Sequence, residues 1–141
     1  MKKAMILVGA LLVLSLGLLA CSSTRQVSRE ITYEDFMKGQ HFSWVADADV
    51  GETVVVTLGS NPTTGFKWPD IAQISNQEIL KQTDHRYVSP QQTGVVGASG
   101  KDTWTFKALK KGTTIISMNY SRPWEVAGRA EWTFIATITV Q

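Results

Sequence analysis

The chain has 141 residues, one cysteine and two histidines, and a formal net charge of +2. That length suits one domain with a real core but not two, and a single cysteine excludes an intrachain disulfide, so apolar packing must hold the fold. Lys2 and Lys3 lie in a leader; without them the 14 basic residues become 12 against 12 acidic ones, which excludes the basic surface that nucleic-acid binding needs.

Residues 1–20 read as a signal rather than as part of the fold. Lys2 and Lys3 form a short positive region, Ala4 to Ala20 is almost wholly apolar, and small residues lead to Cys21. The run is short for a membrane span, and polar Ser22, Ser23 and Thr24 follow the cysteine at once. Leu18-Leu19-Ala20-Cys21 resembles a bacterial lipoprotein lipobox, in which the cysteine is lipidated and becomes the mature N-terminus. Plain secretion with a leftover cysteine is the alternative. Because Cys21 is the only cysteine and falls at the cleavage point, lipidation is favoured, and the expected location is the bacterial cell envelope, anchored by lipid. Ser22 is compatible with outer-membrane sorting where two membranes exist. Cys21 is then a poor candidate for nucleophile or metal ligand.

Residues 21–30 read as a polar tether and 31–141 as the domain. Ile31 to Gly39 is either a short turn of helix or a first edge strand; the pattern leaves both open. His41 to Val45 alternates weakly, as an outer strand does, and Ala46 to Gly51 reads as a turn. Thr53 to Leu58 places Val54, Val56 and Leu58 on one face. Phe66 to Ile74 reads as a broken strand with Pro69 at a bend or edge, and Ile79 to Val88 as another strand. Trp104 and Phe106 point inward from a strand over Thr103 to Lys107. Thr114, Ile116, Met118 and Tyr120 share one face of the next. Trp132, Phe134, Ala136, Ile138 and Val140 share one face of the last. Period-2 runs at regular intervals, with no convincing amphipathic helix between them, predict an all-β, immunoglobulin-like antiparallel β-sandwich. The Cys…Trp…Cys signature of antibody domains is absent, so that likeness is architectural.

Three stretches interrupt the strand rhythm. Asn61-Pro62-Thr63-Thr64-Gly65-Phe66 carries the strongest turn chemistry: Asn folds its side chain onto nearby amides, Pro fixes φ, and Gly permits φ > 0. Gly94-Val95-Val96-Gly97-Ala98-Ser99-Gly100 carries three glycines among small residues. No helix follows it to supply an N-terminal dipole, so a phosphate site is not expected. Ser121-Arg122-Pro123-Trp124-Glu125 puts an aromatic on a proline-stiffened tip flanked by charge, the composition of an interface hot spot. Each stretch taken alone reads as an ordinary surface loop. Antiparallel strands alternate direction, however, so every second connection lies at the same end, and these three are alternate connections. They present Thr, Gly backbone, Trp and Arg, with no carboxylate pair, no Ser-His-Asp set and no ligand cluster. His41 and His85 lie outside them, with no nucleophile placed beside either. Such an end binds rather than reacts: no enzyme, cofactor or metal is expected.

The residues now carry a family resemblance. Asn61 to Phe66, the Gly97…Gly100 loop and Arg122-Pro123-Trp124 resemble the three loop motifs of the chagasin family, inhibitors of papain-like cysteine peptidases with an immunoglobulin-like fold. The resemblance covers about Phe42 to Val140. It implies a reversible, competitive inhibitor, with a papain-like cysteine peptidase as partner and a monomeric chain. Thr63 would enter the catalytic centre, Thr64 and Gly65 would shape the loop, and Asn61 would brace it. The Gly94 to Gly100 loop would cover one side of the cleft through backbone contacts, and Arg122 and Trp124 would grip the other. The alternative is an envelope lipoprotein whose sandwich end binds a glycan or another envelope protein, using exposed Trp68 and Trp124.

Overall fold

Alternation decides what is inside the long strands that carry the core, while the nine-residue strand Leu80–Val88 does not follow it and shifts register between Gln82 and Asp84. The structure, a computed structural model, describes residues 25–90, 97–125 and 130–141. In chain order its elements are β1 (Gln26–Ile31), α1 (Tyr33–Gly39), β2 (His41–Ala48), β3 (Thr53–Ser60), a 3-10 turn (Pro62–Thr64), β4 (Gln73–Ile74), β5 (Leu80–Val88), β6 (Gly100–Ala108), β7 (Gly112–Tyr120) and β8 (Trp132–Val140). Val54, Val56 and Leu58 of β3, Trp104 and Phe106 of β6, Ile116 and Tyr120 of β7 and Phe134 and Ile138 of β8 are all buried. Each such side chain contributes about 1.5–3 kcal/mol by leaving water, and that apolar layer is what joins the sheets.

Two four-stranded sheets form the sandwich, in the orders β1-β3-β6-β5 and β2-β8-β7-β4. The hairpin pairings are antiparallel, as expected, but β1 runs parallel to β3 and β2 parallel to β8. The cause is one crossing. β1 runs toward the loop end, α1 carries the chain over to the other sheet at that end, and β2 runs back; β3 must then repeat the direction of β1.

Several expectations change in detail. The tether predicted through Glu30 gives up Gln26–Glu30 to β1, whose residues pair with Thr53–Thr57. β1 is an edge strand with little covered surface, so its sequence is polar and does not alternate in hydrophobicity. The stretch Ile31 to Gly39 resolves as the end of β1 followed by α1. Thr32 caps that helix: its hydroxyl accepts from Asp35 N–H at 3.1 Å, and the Asp35 carboxylate accepts from Thr32 N–H at 3.0 Å and from its hydroxyl at 2.8 Å. These bonds from Thr32 hold the Asp35 carboxyl below its ordinary range. β2 extends through Ala48, so the turn predicted from Ala46 is confined to the residues before Thr53. Between Phe66 and Ile74 there is no continuous strand, only a bridge between Lys67 and Ser121 and the two-residue β4.

The largest correction is Trp68, expected at the surface. It is 1% exposed; its Nε1–H donates to the Gly59 carbonyl at 3.0 Å and its ring packs on Phe36 and Tyr120. The irregular segment around Pro69 has no period from which its direction can be read. α1 sits directly against the neighbouring strand here. A Cβ added to Gly59 would lie 2.1 Å from Tyr33 N, so only glycine lets the helix seat on β3. At the opposite end of the sandwich, Arg25 accepts from Thr53 N–H, and Gln141 is bonded to Ala48 and Val50.

Candidate functional site

The first loop follows β3 without a break in order. Asn61 is buried, and its carbonyl accepts from Thr64 N–H at 3.1 Å while the Pro62 carbonyl accepts from Gly65 N–H at 3.0 Å, closing the 3-10 turn. Asn61 Oδ1 accepts from both Thr63 N–H (3.2 Å) and Thr63 Oγ1 (2.6 Å). Pro62 supplies a fixed φ at the first position of the turn, and Gly65 ends it at φ 81°. Thr63 and Thr64 are exposed at the apex of a loop whose internal donors are satisfied. Asn61 thus ties its own loop together through both its side chain and its carbonyl.

Tyr120 supplies a further brace from below. Its hydroxyl accepts from Asn61 N–H at 2.9 Å and donates to the Asn61 carbonyl at 3.3 Å. Burial pushes this phenol above its ordinary range, with the bond to Asn61 opposing, so at neutral pH it keeps the proton that it donates. The sequence places Tyr120 on the core face but not its partner, 59 positions away. The one available signal is that a buried tyrosine needs a partner for its hydroxyl. Tyr120→Phe is expected to leave the Asn61 N–H without a partner and to cost about 1–3 kcal/mol of folding stability, read from the urea midpoint. A change within a few tenths of a kcal/mol would show that the hydroxyl braces nothing.

The third loop rests on the first. Lys67 and Ser121 exchange backbone bonds of 3.0 and 3.2 Å. A ladder of rings climbs from the core to the surface: Trp132 stacks on Tyr120 (4.6 Å), Tyr120 on Phe66 (5.7 Å), and the Arg122 guanidinium lies 4.3 Å from the Phe66 centroid. Arg122 also donates to Glu125 at 3.1 Å. Trp124 is 68% exposed, yet its indole edge lies where a Cβ on Gly65 would come within 2.7 Å of it. Any side chain at 65 would displace the tryptophan besides straining the turn.

The second loop joins the same rim. Asn61 Nδ2 donates to the Gly97 carbonyl at 3.1 Å. Ala98 and Ser99 are half-buried beside it. Gly100 belongs to β6, paired with Ser60 and buried, so it supports the loop rather than forming its tip. Gly94, Val95 and Val96 lie outside the described residues, as does Cys21. The three stretches thus meet at one end, with Asn61 touching its own loop, the second loop and the core.

The histidines lie elsewhere. His85 Nε2 is 2.8 Å from the buried Asp102 carboxylate, and its ring stacks on Trp104, a core-edge position. His41 Nδ1 is 2.9 Å from Thr133 Oγ1 at the surface. Among the described residues no group of three or more His, Cys, Asp or Glu could hold a metal ion.

The chain is a β-sandwich whose first loop is braced from within and touches the described parts of the other two at one end. The chain belongs to the chagasin family of peptidase inhibitors: the pattern described as "Chagasin family peptidase inhibitor I42" matches residues 47–138. It is similar to Amoebiasin-2 of Entamoeba histolytica, 32% identical over 107 residues covering 76% of this chain and 80% of that one. Two solved structures share the fold. The cysteine protease inhibitor EhICP2 from Entamoeba histolytica has a TM-score of 0.63 at 22% identity, covering 82% of this chain and 97% of its own. PbICP-C, solved in complex with falcipain-2, has a TM-score of 0.60 at 20% identity, covering 82% and 99%. The family is one of inhibitors, in agreement with the expectation that the chain is not an enzyme.

Proposed function

We propose that this protein is a reversible, competitive inhibitor of papain-like cysteine peptidases, acting as a monomer that occludes the catalytic cleft with three loops. The observation that carries this reading is the first loop: an exposed Thr63-Thr64 apex held by Asn61 and Tyr120 from inside the same chain. Thr63 enters the catalytic centre beside the peptidase cysteine and histidine. The Gly94 to Gly100 stretch covers one side of the cleft, and Arg122 and Trp124 cover the other. A loop whose conformation is already fixed loses little entropy on docking, which favours tight binding. The test is inhibition of papain by the full-length chain in detergent, followed with a fluorogenic substrate. A competitive pattern with a nanomolar constant supports the reading; no inhibition at micromolar concentrations of folded protein, repeated with a cathepsin-type enzyme, overturns it.

Trp124 is the anchor of the third loop in this reading. Trp124→Ala is expected to weaken binding by about 2–4 kcal/mol, measured by calorimetry, because a large exposed ring becomes fully covered on docking. Unaltered affinity would remove Trp124 from the interface. The glycan-binding alternative draws on two exposed tryptophans, and burial of Trp68 leaves it with Trp124 alone.

The leader supports a location as well. We propose that Cys21 is lipidated and anchors the inhibitor in a bacterial envelope, at the outer membrane where there are two. Cys21→Ala is expected to move the protein from the membrane to the soluble fraction, detected by blotting after a carbonate wash. Retention of the variant in the membrane would contradict lipid anchoring.

A further inference from the structure

We propose that the side-chain amide of Asn61 is the joint that fixes the second loop to the first, which makes Asn61 a positioning residue for both loops and not for its own alone. The inference rests on the inhibitor reading and deepens it. The two loops part where the β3–β6 ladder ends, at the pair Ser60 and Gly100. One residue beyond that pair, Asn61 Nδ2 reaches across and donates to the Gly97 carbonyl at 3.1 Å. A side chain thus takes over where the ladder stops. The amide is held in that direction from behind. Asn61 Oδ1 accepts from both Thr63 N–H and Thr63 Oγ1, and the Tyr120 hydroxyl ties the Asn61 backbone at its N–H and its carbonyl. Gly97 is suited to its part as well: its φ of 87° lies in the left-handed region that favours glycine, at the point where the backbone turns its carbonyl to Asn61.

What the joint does follows from the chemistry of the second loop. Gly97, Ala98 and Ser99 carry little side chain, so this limb meets a partner chiefly through main-chain atoms. A main-chain contact cannot be adjusted by a change of rotamer, and it is favourable only where the backbone is already in place. The amide supplies that placement from the same loop that presents Thr63. Insertion of Thr63 and covering of the cleft by the second loop are then one event rather than two. The two halves of one side chain have separate duties: Oδ1 shapes the first loop, and Nδ2 sites the second.

The experiment separates those halves with Asn61→Asp and Asn61→Ser in the full-length chain. Both replacements keep a side-chain oxygen able to accept from Thr63 N–H, as residues at the start of a helical turn do. Neither offers Gly97 a donor at about pH 7: the aspartate turns a second acceptor toward the carbonyl, and the serine is too short to reach it. At about pH 4 an aspartic carboxyl regains its proton, the more readily for facing a carbonyl, and donates to Gly97. Papain inhibition constants are measured at both pH values on folded protein and divided by the parent's. Both ratios are expected to be about ten- to a hundredfold at about pH 7. That of Asn61→Asp then falls to about threefold or less at about pH 4, and that of Asn61→Ser does not. Deuterium uptake of the free proteins is expected to rise over Gly97 to Gly100 in both variants and to stay near the parent's over Thr63 to Phe66. Ratios within twofold at both pH values, or an Asn61→Asp ratio that ignores acid, overturn the joint, and so does unchanged uptake over Gly97 to Gly100. If the parent inhibits neither papain nor a cathepsin-type peptidase, the inhibitor reading fails, and the uptake alone decides whether Asn61 holds the second loop.

Discussion

Thr63→Arg is expected to abolish peptidase inhibition while leaving the fold intact. Thr63 is exposed at the apex of the 3-10 turn, and its hydroxyl is tied to Asn61 Oδ1 at 2.6 Å. Arginine there removes that bond and projects a long, hydrated cation from the part of the loop proposed to go deepest into the cleft. Desolvating the charge without a partner, on top of the steric clash, raises the inhibition constant at least a thousandfold, about 4 kcal/mol of binding. The folding penalty stays below about 1 kcal/mol, because the site is at the surface and the backbone donors of the turn keep their acceptors. Titration of papain with the variant, together with its urea midpoint, separates the two effects. An arginine variant that inhibits as well as the parent would refute insertion of this loop.

Trp68→Ala has the opposite profile: a large loss of stability. The indole is buried between Phe36 of α1 and Tyr120 of β7, with ring centroids at 5.2 and 5.1 Å, and it satisfies the Gly59 carbonyl. Truncation opens a cavity where α1, the first loop and the core meet, and the expected cost is about 3–5 kcal/mol. Chemical denaturation checks it. A cost under about 1 kcal/mol would mean that the ring is not packed as described. Because α1 and Tyr120 both touch it, the same variant is expected to loosen the rim and weaken inhibition indirectly.

These two sites mark where the sequence could and could not be read. The turn that carries Thr63 was legible because Asn61-Pro62 and Gly65 are local turn chemistry, acting within three or four residues. Strands β3, β6, β7 and β8 were legible because one face of each is buried against the other sheet, which imposes period 2 on Val54, Val56 and Leu58 and their counterparts. Convergence of the loops followed from strand direction alone. Trp68 was not legible, since it lies in an irregular segment held by a backbone bond to Gly59 rather than by any periodicity. β1 was missed because an edge strand with little burial has no alternation to display. α1 is seven residues long, too short for an apolar stripe, although Thr32-x-x-Asp35 was a capping signal standing in plain view. The Tyr120–Asn61 bond joins residues whose neighbourhood exists only once β3 and β7 lie in opposite sheets.

The two poles of the sandwich carry different duties. Arg25, where the described chain enters, and Gln141, where it ends, both lie at the pole away from the loops. β3 spans the distance between the poles with eight residues, about 26 Å at the usual strand rise. The sandwich is therefore a shaft that holds the loops at the pole opposite to the one where the described chain enters and leaves. Cargo fused after Gln141 would hang behind that shaft, clear of the loops.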